Sequence, residues 1–182
     1  KAITVIYEKA LRPFEMEQVL EAMPKCPLAS ANFTGSEAAF VELVNSEKSE
    51  LNQDFKLPAL HNLACLHLAG KNEDAVMQFM RVFEKSSPTV KELYLYQCSE
   101  RLLTAACNIF PNLETVHFAN EGVVEPDVVE RIVTLVTDST QIAYLSVGKD
   151  SVKISREASA ISLVSHPKSK IASKIIALVI AA

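Results

Sequence analysis

The chain has 182 residues, 49% of them hydrophobic, and 18 basic against 22 acidic side chains give a net charge of −4. This length suffices for one ordinary domain or a short repeat array, and either can bury a core without disulfides or metal ions. The small acidic excess argues against nucleic-acid binding, which requires a basic stripe or patch.

A short apolar figure of the form L-x-x-L-x-L recurs six times, most clearly at residues 63–68 and 90–95. Its fourth and sixth positions are apolar in every copy. The fourth positions are Ile3, Ala31, Leu66, Leu93, Val116 and Leu145, so the steps between copies are 28, 35, 27, 23 and 29 residues. A strand-plus-helix unit repeated at intervals of 20 to 50 residues is typical of a solenoid.

Segments with helical periodicity separate these strand figures. Apolar side chains at i, i+3, i+4 and i+7 form one stripe, so each helix is predicted to bury one face. In chain order the stripes are Met16, Val19, Leu20 and Met23; Phe40, Leu43 and Val44; Val76, Phe79, Met80 and Phe83; Leu102, Leu103, Ala106, Ile109 and Phe110; and Val129, Ile132, Val133 and Val136.

Glycines and helix caps mark the junctions between strands and helices. Ser36 and Asn72 are predicted N-caps, and Pro126 suits a first helical position. Sharp turns are predicted just after four strand figures, at Gly35, Gly70, Gly122 and Gly148.

The pattern changes at two places. A polar insertion over residues 45–56 lengthens the second step and is predicted to form a helix extension and loop. After Asp150 the apolar residues predict two short strands, and residues 169–182 a closing helix. We therefore predict one domain over residues 1–182, with about six repeats in 1–150 and an irregular C-terminal cap in 151–182. Because the chain lacks an initiator Met, we expect it to be a fragment of a longer protein.

The cysteines and the chain termini bear on the compartment. Cys26, Cys65, Cys98 and Cys107 form no C-x-x-C pair and are predicted to be buried, reduced thiols. The first residues do not have the form of a signal peptide, and the apolar run 175–182 is shorter than the roughly 20 residues needed to cross a bilayer. These features predict a cytoplasmic or nuclear protein without a transmembrane segment.

The fourth copy carries a family resemblance. Val90 to Cys98, followed by Leu102, Leu103 and Cys107, resembles the cysteine-containing type of leucine-rich repeat, in which Cys occupies the ninth position. The resemblance implies an α/β leucine-rich repeat solenoid, a horseshoe with a concave parallel β-sheet and convex α-helices. Such repeats form the substrate-binding halves of F-box ubiquitin-ligase receptors, so it also implies substrate recognition for a ubiquitin ligase. The ninth positions of other copies depart from the pattern, being Ser36, Lys71, Glu121 and Asp150.

In a parallel ladder, positions four and six of each figure face the core, whereas positions three and five face the opposite surface. The fifth positions form a row of Thr4, Asn32, His67, Tyr94, His117 and Ser146. Tyr offers a large contact area with a polar tip and is enriched among binding hot spots. The predicted partner-binding residues are Asn32, His67, Glu92, Tyr94, Thr115, His117 and Tyr144. The alternative is an ordinary solvated sheet face.

Enzymatic roles are disfavoured. The chain contains no Gly-rich phosphate loop. Cys65, His67, Glu92 and His117 share one predicted face, yet an open ladder offers no enclosing pocket or oxyanion donors. Since two rungs, about 10 Å between Cα atoms, separate the two histidines, we expect no shared metal.

We therefore predict a protein–protein interaction module whose partner is a protein. We predict no enzymatic activity, cofactor, metal or small-molecule substrate, and the oligomeric state stays open. The alternative function is a structural repeat segment within a larger multiprotein assembly.

Overall fold

The computed structural model describes residues 3–6, 11–46, 54–68, 70–119, 126–138, 141–148, 150–155 and 160–164. In chain order the elements are β1 (Ile3–Ile6), α1 (Pro13–Ala22), a 3₁₀ helix (Met23–Lys25), β2 (Leu28–Asn32), α2 (Glu37–Val44), β3 (Cys65–Leu68), α3 (Glu73–Val82), a 3₁₀ helix (Glu84–Ser86), β4 (Glu92–Leu95), α4 (Glu100–Ile109), β5 (Thr115–Phe118), α5 (Pro126–Asp138), β6 (Tyr144–Val147), β7 (Asp150–Ser155) and β8 (Ala160–Val164). Most of the predicted insertion, Gly122 and the closing helix over 169–182 lie outside the described residues.

All eight strands belong to one sheet, in which they lie side by side in chain order. Each neighbouring pair from β1 to β6 is parallel, whereas β7 and β8 pair antiparallel at the end of the sheet. A parallel pair needs a crossover, and helices α1 to α5 provide them. The predicted α/β class with a parallel sheet is confirmed, and the two strands predicted after Asp150 are present as β7 and β8.

The strand register agrees with the sequence pattern from β2 to β6 but not at β1. Ala31, Leu66, Leu93, Val116 and Leu145 lie on one rung line, as predicted. In β1, however, Val5 pairs with Ala31 and Ile6 with Asn32, because the register shifts between Ile3 and Thr4. The predicted alignment of Ile3 with Ala31, and of Thr4 with Asn32, is therefore wrong by two residues. Ile3 and Val5 are both apolar, so the period-two pattern fits either register.

The core fills the space between the sheet and the helices. The side chains at the fourth and sixth positions of the repeated figure are buried in all copies from β2 to β6. The sixth position of the second copy, Phe33, lies one residue beyond the end of β2 and is buried as well. At the centre the Phe79 ring lies 5.2 Å from Phe33, 4.8 Å from Phe40 and 5.6 Å from Phe83, between ring centroids. The predicted helical stripes are buried, except that Val19 and Ile109 are half-buried and the side chain of Val129 lies outside the description.

All three predicted helix starts are confirmed in position, but only one has the expected side-chain cap. Asn72 Oδ1 accepts the N–H of Ala75 at 3.1 Å, and Pro126 begins α5. Ser36 precedes α2 but makes no side-chain cap; its buried hydroxyl instead accepts the N–H of Leu11 at 3.0 Å. Ser36 is therefore the N-cap residue of α2, as predicted, but its buried hydroxyl does not cap the helix, because it satisfies a backbone group 25 residues away.

Of the three predicted glycine turns that the structure describes, two have left-handed backbone. Gly35 has φ 76° and Gly148 has φ 59°, in the region that glycine adopts without a steric cost. Each follows a strand directly or within three residues, so the chain reverses there toward the next element.

None of the four cysteines forms a disulfide, and they differ in exposure. Cys98 is buried, Cys65 and Cys107 are half-buried, and Cys26 is exposed in the turn before β2. The prediction that Cys26 is buried is therefore wrong. The turn before β2 leaves Cys26 at the surface, whereas Leu28, two residues later, is buried in the core.

This difference predicts thiol reactivity. Burial raises the pKa of Cys98 to about 12, so only about one molecule in ten thousand carries its thiolate at pH 8. Iodoacetamide at pH 8 is expected to modify Cys26 within minutes and to leave Cys98 unmodified until urea unfolds the chain, as read by peptide mass spectrometry. Cys26→Ser serves as the control. Equal rates at both thiols in the native protein would contradict the burial of Cys98.

Candidate functional site

One face of the sheet carries half-exposed side chains in two rows. On β4, Leu93 and Leu95 are fully buried, whereas Glu92 and Tyr94 are half-exposed, and β3, β5 and β6 alternate in the same way. The pairing register places the third positions Ser30, Cys65, Glu92, Thr115 and Tyr144 in one row, and the fifth positions Asn32, His67, Tyr94, His117 and Ser146 in the other. We call these ten residues the sheet face.

Four rings on the sheet face lie next to one another, and three of them are stacked. The centroids of His67 and Tyr94 are 4.0 Å apart with planes at 5°, and those of Tyr94 and His117 are 4.1 Å apart at 14°. Tyr144 follows at 5.6 Å from His117, tilted by 52°. In-register parallel strands bring equivalent positions about 4.8 Å apart, which suits stacked rings. We call His67, Tyr94, His117 and Tyr144 the aromatic ladder.

Glu92 is the centre of a hydrogen-bond network that joins three strands. The Tyr94 hydroxyl donates to Glu92 Oε1 at 2.8 Å, and His117 Nε2 lies 3.0 Å from the same oxygen. The other ring nitrogen of His117, Nδ1, lies 2.6 Å from Ser146 Oγ. When Nε2–H of a neutral His117 donates to the carboxylate, Nδ1 accepts from the Ser146 hydroxyl. The network therefore fixes the orientation of both rings.

Burial and the Glu92 charge set the protonation of this face. Burial raises the pKa of Tyr94, and the hydrogen bond to Glu92 and the negative charge of Glu92 raise it further, to about 12. Burial lowers the pKa of His67, the nearby His117 lowers it further, and Glu92 opposes both. The Cys65 thiol, 3.4 Å from His67 Nε2, has its pKa raised chiefly by burial. His67 and Cys65 are therefore neutral at pH 7, and Cys65 is a poor nucleophile.

The titration of Tyr94 tests the network. Tyr94 is expected to ionise near pH 12 in the wild type, and Glu92→Gln is expected to lower this pKa because the carboxylate charge is removed. The value should stay above the usual 10, since burial remains. Absorbance at 295 nm during alkaline titration measures it, with Tyr94→Phe to assign the signal. An unchanged Tyr94 pKa in Glu92→Gln would place the hydroxyl away from Glu92.

The structure places all seven predicted binding residues on the sheet face, six of them around the network and the aromatic ladder and Asn32 beside His67. Glu92, Tyr94, His117, His67 and Tyr144 join the network or the aromatic ladder, and Thr115 lies between Glu92 and Tyr144 in the third-position row. Asn32 lies on the sheet face, but its Oδ1 accepts from the N–H and hydroxyl of Thr34 at 3.0 and 2.7 Å, so its side chain serves the turn after β2.

Sequence reasoning missed Ser146 as a network member. Its position in the fifth-position row was the available signal, since this places it beside His117. Among the described residues, no group of three or more His, Cys, Asp or Glu side chains is arranged to hold a metal ion.

These observations define the class of the molecule: an α/β protein whose parallel sheet presents an ordered polar and aromatic surface opposite its helices. Comparisons of the chain with protein-family models, curated proteins and solved structures gave no match. Within the part of the chain that the structure describes, no helix is long and apolar enough to span a membrane.

Proposed function

We propose that the chain is a leucine-rich repeat module that binds a protein partner through its sheet face, the concave face of the horseshoe. The aromatic ladder around Glu92 is the observation that carries this proposal, because half-exposed Tyr side chains with hydrogen-bonding tips are typical of binding hot spots.

Four features support the repeat assignment. Successive strands pair in chain order, equivalent positions of β2 to β6 share a rung, and helices form the crossovers. The ninth-position Cys98 is 7% exposed, in keeping with the inward position of the ninth residue in cysteine-containing repeats. A horseshoe built in this way places its parallel sheet on the inner, concave side.

The order of the side chains supports a binding role. His67, Tyr94 and His117 are held in place by stacking, and Glu92 bonds to two of these rings. Side chains that are already fixed lose little conformational entropy when a partner binds, so more of the contact energy contributes to affinity.

Capture of partners by matched double variants tests the proposal. Tyr94→Ala with His117→Ala removes two rings from the sheet face, whereas Phe14→Ala with His61→Ala removes one exposed ring and one exposed imidazole elsewhere. We expect the wild type and the second variant to retain a common protein from a cell lysate, and the first variant to lose it. Circular dichroism verifies that both variants are folded.

The opposite result would favour the structural role. If the folded sheet-face variant retains every protein and the Phe14/His61 variant loses one, the contact is at α1 or at the loop before β3, and the chain is a segment of a larger assembly.

Recognition of substrates for ubiquitin transfer is the specific role that the resemblance to F-box receptors implies. If the captured protein is such a substrate, its ubiquitination in cells should fall when the sheet-face variant replaces the wild type. Unchanged ubiquitination with lost binding would separate the interaction from that role.

A further inference from the structure

A small cavity lies between α4 and α5, on the helical side of the sheet. Its volume is about 150 Å³. Its inner walls come from α4, α5 and the segment before β6, and they are formed by Leu103, Cys107, Leu135, Val136 and Ile142. We call this space the α4–α5 cavity.

The inner walls of the cavity are apolar. Leu103, Val136 and Ile142 are at most 2% exposed, and Leu135 packs against the core. Burial raises the pKa of Cys107, so its thiol is neutral at pH 7 and behaves as a small apolar group. The structure describes every residue that lines the cavity, and none of them carries a charged side chain.

The cavity reaches the protein surface along one edge of α4. Thr104 and Asn108, one helical turn apart, also line the cavity, and both are exposed. A ligand can therefore enter beside these two residues without unfolding of the chain.

Size and lining determine what the cavity can hold. A buried water molecule needs two to four polar partners, which aliphatic walls do not provide, whereas apolar cavities of about 150 Å³ can bind benzene or xenon. A charged group would lose its hydration there without gaining a partner of opposite charge. The cavity therefore suits an uncharged, apolar molecule that is no larger than a single hydrocarbon ring.

We propose that the α4–α5 cavity is a binding site for a small apolar ligand, namely one six-membered hydrocarbon ring or an aliphatic chain of similar volume. The ligand is held by contacts with Leu103, Leu135 and Ile142, and the neutral Cys107 thiol lies at its side without reacting. This site is separate from the sheet face, so the inference does not depend on the proposed function.

Titration with benzene and pyrazine provides the test. Both are flat six-membered rings of similar size, but pyrazine carries two acceptor nitrogens that the apolar walls leave unpaired. With the full chain labelled at its methyl groups, NMR should show that benzene shifts the signals of Leu103, Leu135 and Ile142 saturably. We expect pyrazine not to shift them, and the methyl signals of Leu20, buried on α1, to stay unchanged with either probe.

Two filling variants and a matched control locate the site. Cys107→Met extends a flexible apolar side chain into the cavity and should abolish saturable binding of benzene. Cys26→Met makes the same substitution in the exposed turn before β2 and should bind benzene like the wild type. Circular dichroism verifies folding, and Leu135→Phe, which fills the cavity from α5, takes the place of Cys107→Met if that variant does not fold.

Four results would each overturn this inference. They are the absence of saturable shifts with benzene, equal binding of pyrazine, equal shifts at Leu20, and unchanged benzene affinity in a folded filling variant. None of them bears on partner binding by the sheet face, which the capture experiment with Tyr94→Ala and His117→Ala tests separately.

Discussion

Replacing Phe79 with alanine is expected to destabilise the protein by about 3–5 kcal/mol, because a large ring is removed from the centre of the core. Phe79 is 0% exposed and contacts Phe33, Phe40 and Phe83 at centroid distances of 4.8–5.6 Å. Phe33 directly follows β2, Phe40 belongs to α2 and Phe83 is the C-cap of α3, so the cavity would remove contacts between the sheet and these two helices. The free energy of unfolding, measured by urea denaturation, gives the effect.

A matched control uses an exposed ring. Phe14 on α1 is 65% exposed, so Phe14→Ala should change the free energy of unfolding by less than about 1 kcal/mol. If Phe79→Ala cost as little as Phe14→Ala, the packing of α2 and α3 on β2 described above would be incorrect.

The sequence predicted the strands and their faces because one signal repeats along the chain. Leu66, Leu93, Val116 and Leu145 follow the same local pattern, and each copy supports the register of the next. At β1 the pattern is ambiguous. Ile3 and Val5 are both apolar, so either of them could pair with Ala31. Only the pairing itself, with its irregularity between Ile3 and Thr4, selects one.

Side-chain roles that depend on distant partners could not be predicted in this way. Ser36 fits the local pattern of an N-cap, yet its hydroxyl bonds to Leu11, which no short-range rule identifies. Exposure of Cys26 likewise depends on how the chain turns before β2.

The candidate site could likewise be predicted only in part from the sequence. The alternation of strand residues predicted which side chains lie on the sheet face, since that follows from backbone geometry. The stacking of His67, Tyr94 and His117 and the two bonds to Glu92 Oε1 depend on side-chain rotamers, which alternation does not specify.

Consecutive residues of β5 provide the sharpest test of the two faces. Val116 is 0% exposed and points to the core, whereas its neighbour Thr115, of nearly the same shape, lies on the sheet face. Val116→Asp would bury a charge without a partner, which costs about 3–5 kcal/mol or more and is comparable to the whole stability of a small domain. We expect this variant to be largely unfolded at pH 7 by circular dichroism.

The same substitution one residue earlier should be tolerated. Thr115→Asp places its charge at a half-exposed position, where repulsion from Glu92 costs roughly 1 kcal/mol or less. Acid should reduce the difference between the two variants. Burial raises the pKa of an aspartate at position 116 in the folded state, so its penalty is complete above that raised pKa and disappears as the pH falls below the unfolded value of about 3.9. If both variants unfold at the same urea concentration at pH 7, β5 does not have one buried and one exposed face, and the sheet face does not exist as described.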